Sequence, residues 1–161
     1  MSLISNLGTN ASPTVRAITR HLGIAAALLV LGAAPIASAQ DAAYRARLSP
    51  MPTTPQTKAA ITGEGEATAI LNGATLTVSG KFAGMSSTAT MAHLHLGPPA
   101  QPGPVFAALI APASTSGVLN AEVELNAEQL AALKKNSLYV QIHTSTNPAG
   151  ELRGWLFARA Q

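Results

Sequence analysis

The sequence contains no cysteine among its 161 residues. This excludes both a disulfide framework and a thiolate metal site, so any bound metal must be held by histidine, carboxylate or backbone oxygen. About 120 residues remain once the N-terminal leader described below is removed, and a chain of that length buries a single core without disulfides. We therefore expect one domain.

Charged residues make up only 11% of the chain and aromatic residues only 4%. Two of the ten basic residues, Arg16 and Arg20, fall in the leader. From Gln40 onward, eight Lys and Arg oppose seven Asp and Glu, so this part of the chain is nearly neutral. It has no basic stripe interleaved with aromatic residues, and we expect no nucleic-acid partner.

Long hydrophobic runs are also scarce, and the one present covers residues 22–36. It follows a segment without acidic residues and precedes Ala37-Ser38-Ala39, which is the arrangement of a secretory signal peptide over residues 1–39. The alternative is an uncleaved membrane anchor, but about 15 apolar residues are short for a span of about 20. We expect export to the periplasm or the cell exterior, with no membrane association after cleavage.

Beyond the leader, the pattern changes near residue 59. Residues 40–58 contain Pro50, Pro52 and Pro55 without a sustained period, which predicts a flexible N-terminal segment. Residues 59–161 then form the domain, with short strand candidates separated by turn residues. Seven strands are predicted, at residues 61–71, 74–82, 90–96, 105–111, 117–125, 138–144 and 151–158.

Two local signals support this division of the domain. Asn72-Gly73 predicts a hairpin between the first two strands. The one helical pattern covers residues 126–135, where Asn126 can cap the N-terminus with Gln129 three positions later. Many short strands with one connecting helix indicate an all-β fold, an antiparallel β-sandwich.

Three histidines remain after the leader, and their spacing would place them on the polar faces of two strands. His93 and His95 lie two positions apart and would share one face of a strand, because side chains alternate with period two. His143 lies on the polar face of the strand at residues 138–144. If the two strands are neighbours, the three imidazoles converge as a metal site in which copper should outcompete zinc.

A simpler interpretation stays open for the same histidines. A neutral imidazole has one donor and one acceptor, so each ring could hydrogen-bond to a backbone carbonyl of the Pro-rich loop 97–104 or of the turn 145–150. On that view the histidines hold loops in place and bind no metal.

Glu151 and Arg153 would share one face of the last strand. Their spacing predicts an ion pair that steadies the preceding turn and adds little stability. The alternative places Arg153 beside the metal, where its charge attracts an anion.

Several of these residues together resemble the CHRD domain, a family named after chordin and present in many exported bacterial proteins. The resemblance is carried by Ala92-His93-Leu94-His95-Leu96-Gly97, Gly103-Pro104-Val105, the strand 138–144 and the segment Asn147 to Gly154, and it spans about residues 60–158. The family implies an immunoglobulin-like Greek-key β-fold with distant similarity to copper/zinc superoxide dismutases, and no settled activity.

The dismutase similarity implies roles for particular residues. His93, His95 and His143 match copper ligands of that family, and Arg153 matches its anion-guiding arginine. The sequence departs from the pattern because, beyond the leader with its His21, it has no fourth histidine to bridge a zinc ion, and it has no zinc-binding loop and no disulfide. We therefore expect a non-catalytic metal-binding protein, with a module that binds an extracellular or periplasmic protein or surface as the alternative and a dismutase-like redox enzyme as the third hypothesis.

Overall fold

A computed structural model describes residues 42–159. The predicted signal peptide at residues 1–39 lies outside the described residues. The elements are β1 (Ala42–Pro50), β2 (Glu64–Asn72), β3 (Thr75–Ala83), β4 (Ala89–Leu96), β5 (Val105–Leu109), β6 (Gly117–Glu124), α1 (Ala127–Lys134), β7 (Leu138–Thr144), β8 (Leu152–Trp155) and β9 (Phe157–Ala158). Within residues 42–159, no helix is long and apolar enough to cross a membrane.

The strands pair antiparallel throughout, in the order β5-β4-β7-β8-β1-β2-β3-β6, with β9 attached to β1. The two outer strands approach each other through a single bridge between Ile110 and Asn120, so the sheet nearly closes into a barrel. The predicted all-β antiparallel fold is confirmed.

The core follows the alternation seen in the sequence. In β3, Leu76, Val78 and Phe82 are buried, whereas Lys81 on the same strand is exposed. The turn before β3 is a two-residue loop, since Asn72 pairs with Thr75 and Gly73 adopts a positive φ of 61°. The strand β7 differs because all seven of its residues are buried, as expected for a strand covered on both faces.

The prediction of a flexible segment at residues 40–58 is wrong for residues 42–50, which form β1. Tyr44, Ala46 and Leu48 are buried in the core, and Arg45 and Arg47 between them are exposed. This is a period-two strand pattern. The nearby prolines and the small size of Ala46 obscured it. β1 pairs with β2, β8 and β9, so it is an integral part of the sheet.

The C-terminal elements match the prediction more closely. The helix α1 begins with the predicted capping box, in which the Asn126 side chain and the Gln129 side chain each bond the other residue's backbone N–H. The strands β7 and β8 pair directly across the turn that joins them. The predicted last strand at residues 151–158 is divided into β8 and β9 at Leu156, whose N–H bonds to the carbonyl of Leu138.

Candidate metal centre

The strands that carry the histidines are neighbours. β4 and β7 pair antiparallel, with His93 opposite Gln141 and His95 opposite Tyr139. His143 lies one pair further along the same face, opposite Met91. The other face of β4, which carries Leu94, points into the core. The three histidines therefore share one face of two adjacent strands.

The three rings approach one another closely. One ring nitrogen from each of His93, His95 and His143 lies within 4.8 Å of the others. The shortest separation joins His93 Nδ1 and His143 Nε2, at 3.3 Å. Tetrahedral nitrogen ligands about 2.0–2.1 Å from a metal stand roughly 3.4 Å apart, so small side-chain movements would complete such a site.

Backbone carbonyls fix the orientation of two of the rings. His95 Nδ1 is 2.9 Å from the carbonyl oxygen of Gly103, and His143 Nδ1 is 2.9 Å from that of Pro148. A carbonyl oxygen only accepts, so Nδ1 carries the proton in both rings and Nε2 carries the lone pair. Metal-binding histidines usually donate their second N–H in this way.

The Nε2 atom of His95 gives the clearest indication that the cluster could bind a ligand. It is buried and has no hydrogen-bond partner among the described residues. Leaving a buried polar atom unpaired costs about 1–3 kcal/mol. A metal ion coordinated by this atom would remove that cost, so the donor set fits a metal that prefers imidazole nitrogen.

The Pro-rich loop that bonds to His95 is itself held firmly. The N–H of Gly103 donates to the Tyr139 hydroxyl at 3.0 Å, and Trp155 Nε1 donates to the carbonyl of Gly97 at 2.9 Å. A Cβ at residue 103 would lie only 1.7 Å from the carbonyl oxygen of Leu96. Glycine at 103 is therefore needed for the loop to press against β4 and present its carbonyl to His95.

The electrostatic surroundings keep two histidines neutral. Burial lowers the pKa of His93 below 6.5, and the nearby His143 lowers it further. Burial also lowers the pKa of His95, although the hydrogen bond to Gly103 opposes this effect. Neutral imidazole is the form that binds metal, so both rings are prepared as ligands at neutral pH.

The ion pair expected between Glu151 and Arg153 is not formed. Glu151 lies just before β8, is fully buried, and turns toward donors from three other segments of the chain. Its carboxylate accepts hydrogen bonds from the Thr62 N–H, the Ser86 N–H and hydroxyl, the Thr144 hydroxyl and the Asn147 amide. Burial would raise the pKa of Glu151, but these hydrogen bonds together lower it.

Arg153 lies on the histidine side of the sheet. Its Nε donates to Gln141 Oε1 at 2.6 Å, and its guanidinium carbon lies 5.0 Å from the centre of the Tyr139 ring. Tyr139 in turn stacks on His95 at 4.6 Å between ring centres. The positive charge of Arg153 contributes to the low pKa of His95, after burial and the other histidines.

Gln141, for which no role is predicted from the sequence, lies among the residues of the site. It is buried on β7 between His143 and Arg153, and its Nε2 lies 3.5 Å from His143 Nε2. The available signal was its period-two position on the same face as His143.

By contrast, a surface groove of about 770 Å³ on β1–β3, lined in part by Arg45, Glu66 and Lys81, contains none of the histidines. Two of its cations, Arg45 and Lys81, form ion pairs with Glu66.

Comparison with known proteins identifies the domain. The family model described as the CHRD domain matches residues 44–156, which is more than half of the 161-residue chain. The match begins within β1, in agreement with its place in the sheet. No curated protein and no solved structure matches the chain.

Proposed function

We propose that this chain, which belongs to the CHRD domain family, is an exported, non-catalytic protein that binds one metal ion through His93, His95 and His143. Copper is favoured over zinc, since Cu(II) binds nitrogen sites more tightly than Zn(II) does. Export rests on the signal-peptide pattern of residues 1–39.

The observation that carries the proposal is the buried, unpartnered Nε2 of His95. The two interpretations drawn from the sequence are compatible, because each imidazole has two nitrogens. His95 and His143 use Nδ1 to hold the loops; among the described residues Nε2 of His95 has no partner, and Nε2 of His143 faces Nδ1 of His93 and Nε2 of Gln141. Holding the loops requires only Nδ1 of His95 and of His143, and it does not explain why a ring nitrogen of each of the three histidines lies within 4.8 Å of the others.

Arg153 has a place in the same proposal. Its guanidinium lies near Tyr139 and Gln141 and lowers the pKa of His95 by its charge. A cation at this position favours anions over cations as additional ligands of the metal. Glu151 takes no part at the metal, since its hydrogen bonds go to Thr62, Ser86, Thr144 and Asn147.

Calorimetric titration with Cu(II) and Zn(II) tests the metal site, and His143→Asn is the informative variant. An asparagine amide nitrogen imitates Nδ1 and can keep the bond to the Pro148 carbonyl, but it offers nothing in place of Nε2. We expect one site in the wild-type protein and none in His143→Asn, with the fold intact by circular dichroism.

Thr77→Ala, an exposed change on β3, is the control and should bind as the wild type does. Equal metal binding by His143→Asn and the wild type would contradict the proposal.

A protein- or surface-binding role is the second candidate, and exposed aliphatic side chains favour it. Met91 is 50% exposed beside the histidines, and Ile110 and Val118 are 72% and 65% exposed near the seam between β5 and β6. Exposed apolar residues in a group are typical of interaction surfaces. Such a role would tolerate His143→Asn and would be lost in Ile110→Lys, as measured by binding to a candidate partner.

A further inference from the structure

Gln141 stands between the metal-binding atom of His143 and the charge of Arg153. It is 3% exposed, and in the sheet it is paired with His93 on one side and Arg153 on the other. A buried amide has to satisfy one acceptor and two donor hydrogens. Its hydrogen bonds therefore indicate whether a further hydrogen-bonding group is needed at this site.

The contacts fix which end of the amide faces the metal site. Arg153 Nε can only donate, and it lies 2.6 Å from Oε1 of Gln141. The amide nitrogen therefore points the other way, and one of its N–H groups donates to the Ala149 carbonyl at 2.9 Å. For its second N–H, the described part of the chain offers only His143 Nε2, at 3.5 Å.

Metal binding would remove that remaining acceptor. His143 Nε2 holds one lone pair, and a metal ion coordinated there would use it. The second N–H of Gln141 would then be buried without a partner, unless another acceptor arrives with the metal. Within residues 42–159, the cluster includes no fourth histidine and no carboxylate, so the acceptor has to come from solution.

We infer that the metal binds a small anion, or hydroxide, as its fourth ligand, and that this ligand accepts a hydrogen bond from Nε2 of Gln141. This fourth ligand depends on the proposed metal site and completes the coordination of the metal. Gln141 is the specificity-determining residue, because its N–H stabilises a bound ligand that accepts a hydrogen bond over one that does not. Arg153 acts through Gln141, since it holds the amide in the required orientation, and it adds positive charge nearby.

Azide binding to the Cu(II)-loaded protein tests the inference, with the charge-transfer absorption of the azide complex as the readout. Azide is a small anion that accepts hydrogen bonds, whereas neutral imidazole binds through its lone pair and accepts none. We expect Gln141→Leu to weaken azide binding about tenfold, as for loss of a hydrogen bond to a charged acceptor. Imidazole binding and the copper content should not change.

Gln56→Leu is the matched control, since this glutamine is exposed and far from the histidines in sequence. Arg153→Met is the second variant; methionine is unbranched and flexible, it supplies no hydrogen-bond donor, and the change does not alter the buried amide itself. It should also weaken azide binding, because the Gln141 amide loses the donor that orients it. Unchanged azide binding in both variants would overturn the inference.

A copper-loaded wild type that binds no azide would also overturn it. Failure of the proposed metal site is recognised separately, since the wild type would then contain no stoichiometric copper before azide is added. That outcome overturns both proposals.

Discussion

Replacing Glu151 with glutamine tests the most unexpected feature of the fold, a buried carboxylate that has no cationic partner within residues 42–159. Its Oε1 accepts from the N–H groups of Thr62 and Ser86, and its Oε2 accepts from Ser86 Oγ, Thr144 Oγ1 and Asn147 Nδ2. In Glu151→Gln, the amide nitrogen must occupy one of these two positions. Two backbone donors exclude it from the first, so it takes the second.

The expected cost follows from the three groups at that second position. The hydroxyls of Ser86 and Thr144 can rotate and accept from the new amide, but the Asn147 amide nitrogen can only donate. One buried donor is left facing another, which costs about 1–3 kcal/mol, and the remaining bonds lose their charge assistance. Relief from burying a charge offsets part of this. We expect a net loss of about 2 kcal/mol in the free energy of unfolding, which is roughly 8 °C in Tm for a domain of this size.

Thermal and urea unfolding at pH 7 measure this loss, with Glu122→Gln as the control because Glu122 is exposed on β6. The pKa of Glu151 is lowered in the folded state, so its stabilisation is present above its unfolded value of about 4.5 and is lost as pH falls through the folded pKa. The difference between wild type and variant should therefore narrow in acid.

An ion pair with Arg153 would give a different pattern. Arg153→Gln would then be as costly as Glu151→Gln, and the two changes would not be additive. That pattern, or an unchanged Tm in Glu151→Gln, would refute the reasoning.

Three further predictions follow from the same contacts. Since burial lowers the pKa of His93 and His95, protons compete less for these two rings than for ordinary imidazoles, and zinc affinity measured from pH 8 to 5 should fall by less than three ordinary histidine ligands would require; a fall as large as that would contradict this. Gly103→Ala should weaken metal binding about 10–100-fold in calorimetry because the His95 ring loses its carbonyl partner, whereas Gly73→Ala should lower the melting temperature slightly and leave metal binding unchanged. Leu48→Ala should cost about 2–4 kcal/mol in urea unfolding because β1 belongs to the core, and Arg47→Ala should cost little; equal tolerance of both would indicate that the segment is flexible.

Much of the fold was predictable because its signals are local. Period-two alternation identified β3 and β7, and the Asn126 to Gln129 spacing identified the start of α1. β1 was missed because three prolines follow closely after its pattern, although Tyr44 and Leu48 alternate with arginines. The break at Leu156 depends on a backbone bond to Leu138, which no local pattern shows.

The site was predictable to the level of shared faces and no further. Alternation placed His93 and His95 on one face, and the pairing of β4 with β7 then determined that they meet His143. The hydrogen-bond donors to Glu151 belong to residues 62, 86, 144 and 147. Its two-residue spacing from Arg153 suggested an ion pair with that arginine instead, and this pair is not formed. A strand begins at residue 152, so Glu151 lies outside the regular alternation on which that spacing argument depended.

The turn between β7 and β8 connects the buried carboxylate to the histidine cluster. Within it, Asn147 bonds to Glu151, the Pro148 carbonyl orients His143, and the Ala149 carbonyl holds Gln141. Glu151 hydrogen-bonds to none of the histidines, yet it anchors the turn whose Pro148 carbonyl orients His143. A displacement of His143 that is too small to unfold the domain can still impair its coordination of a metal. Glu151→Gln should therefore weaken metal binding at temperatures where the protein is still fully folded. Wild-type metal affinity in that variant would show that His143 is held by β7 alone.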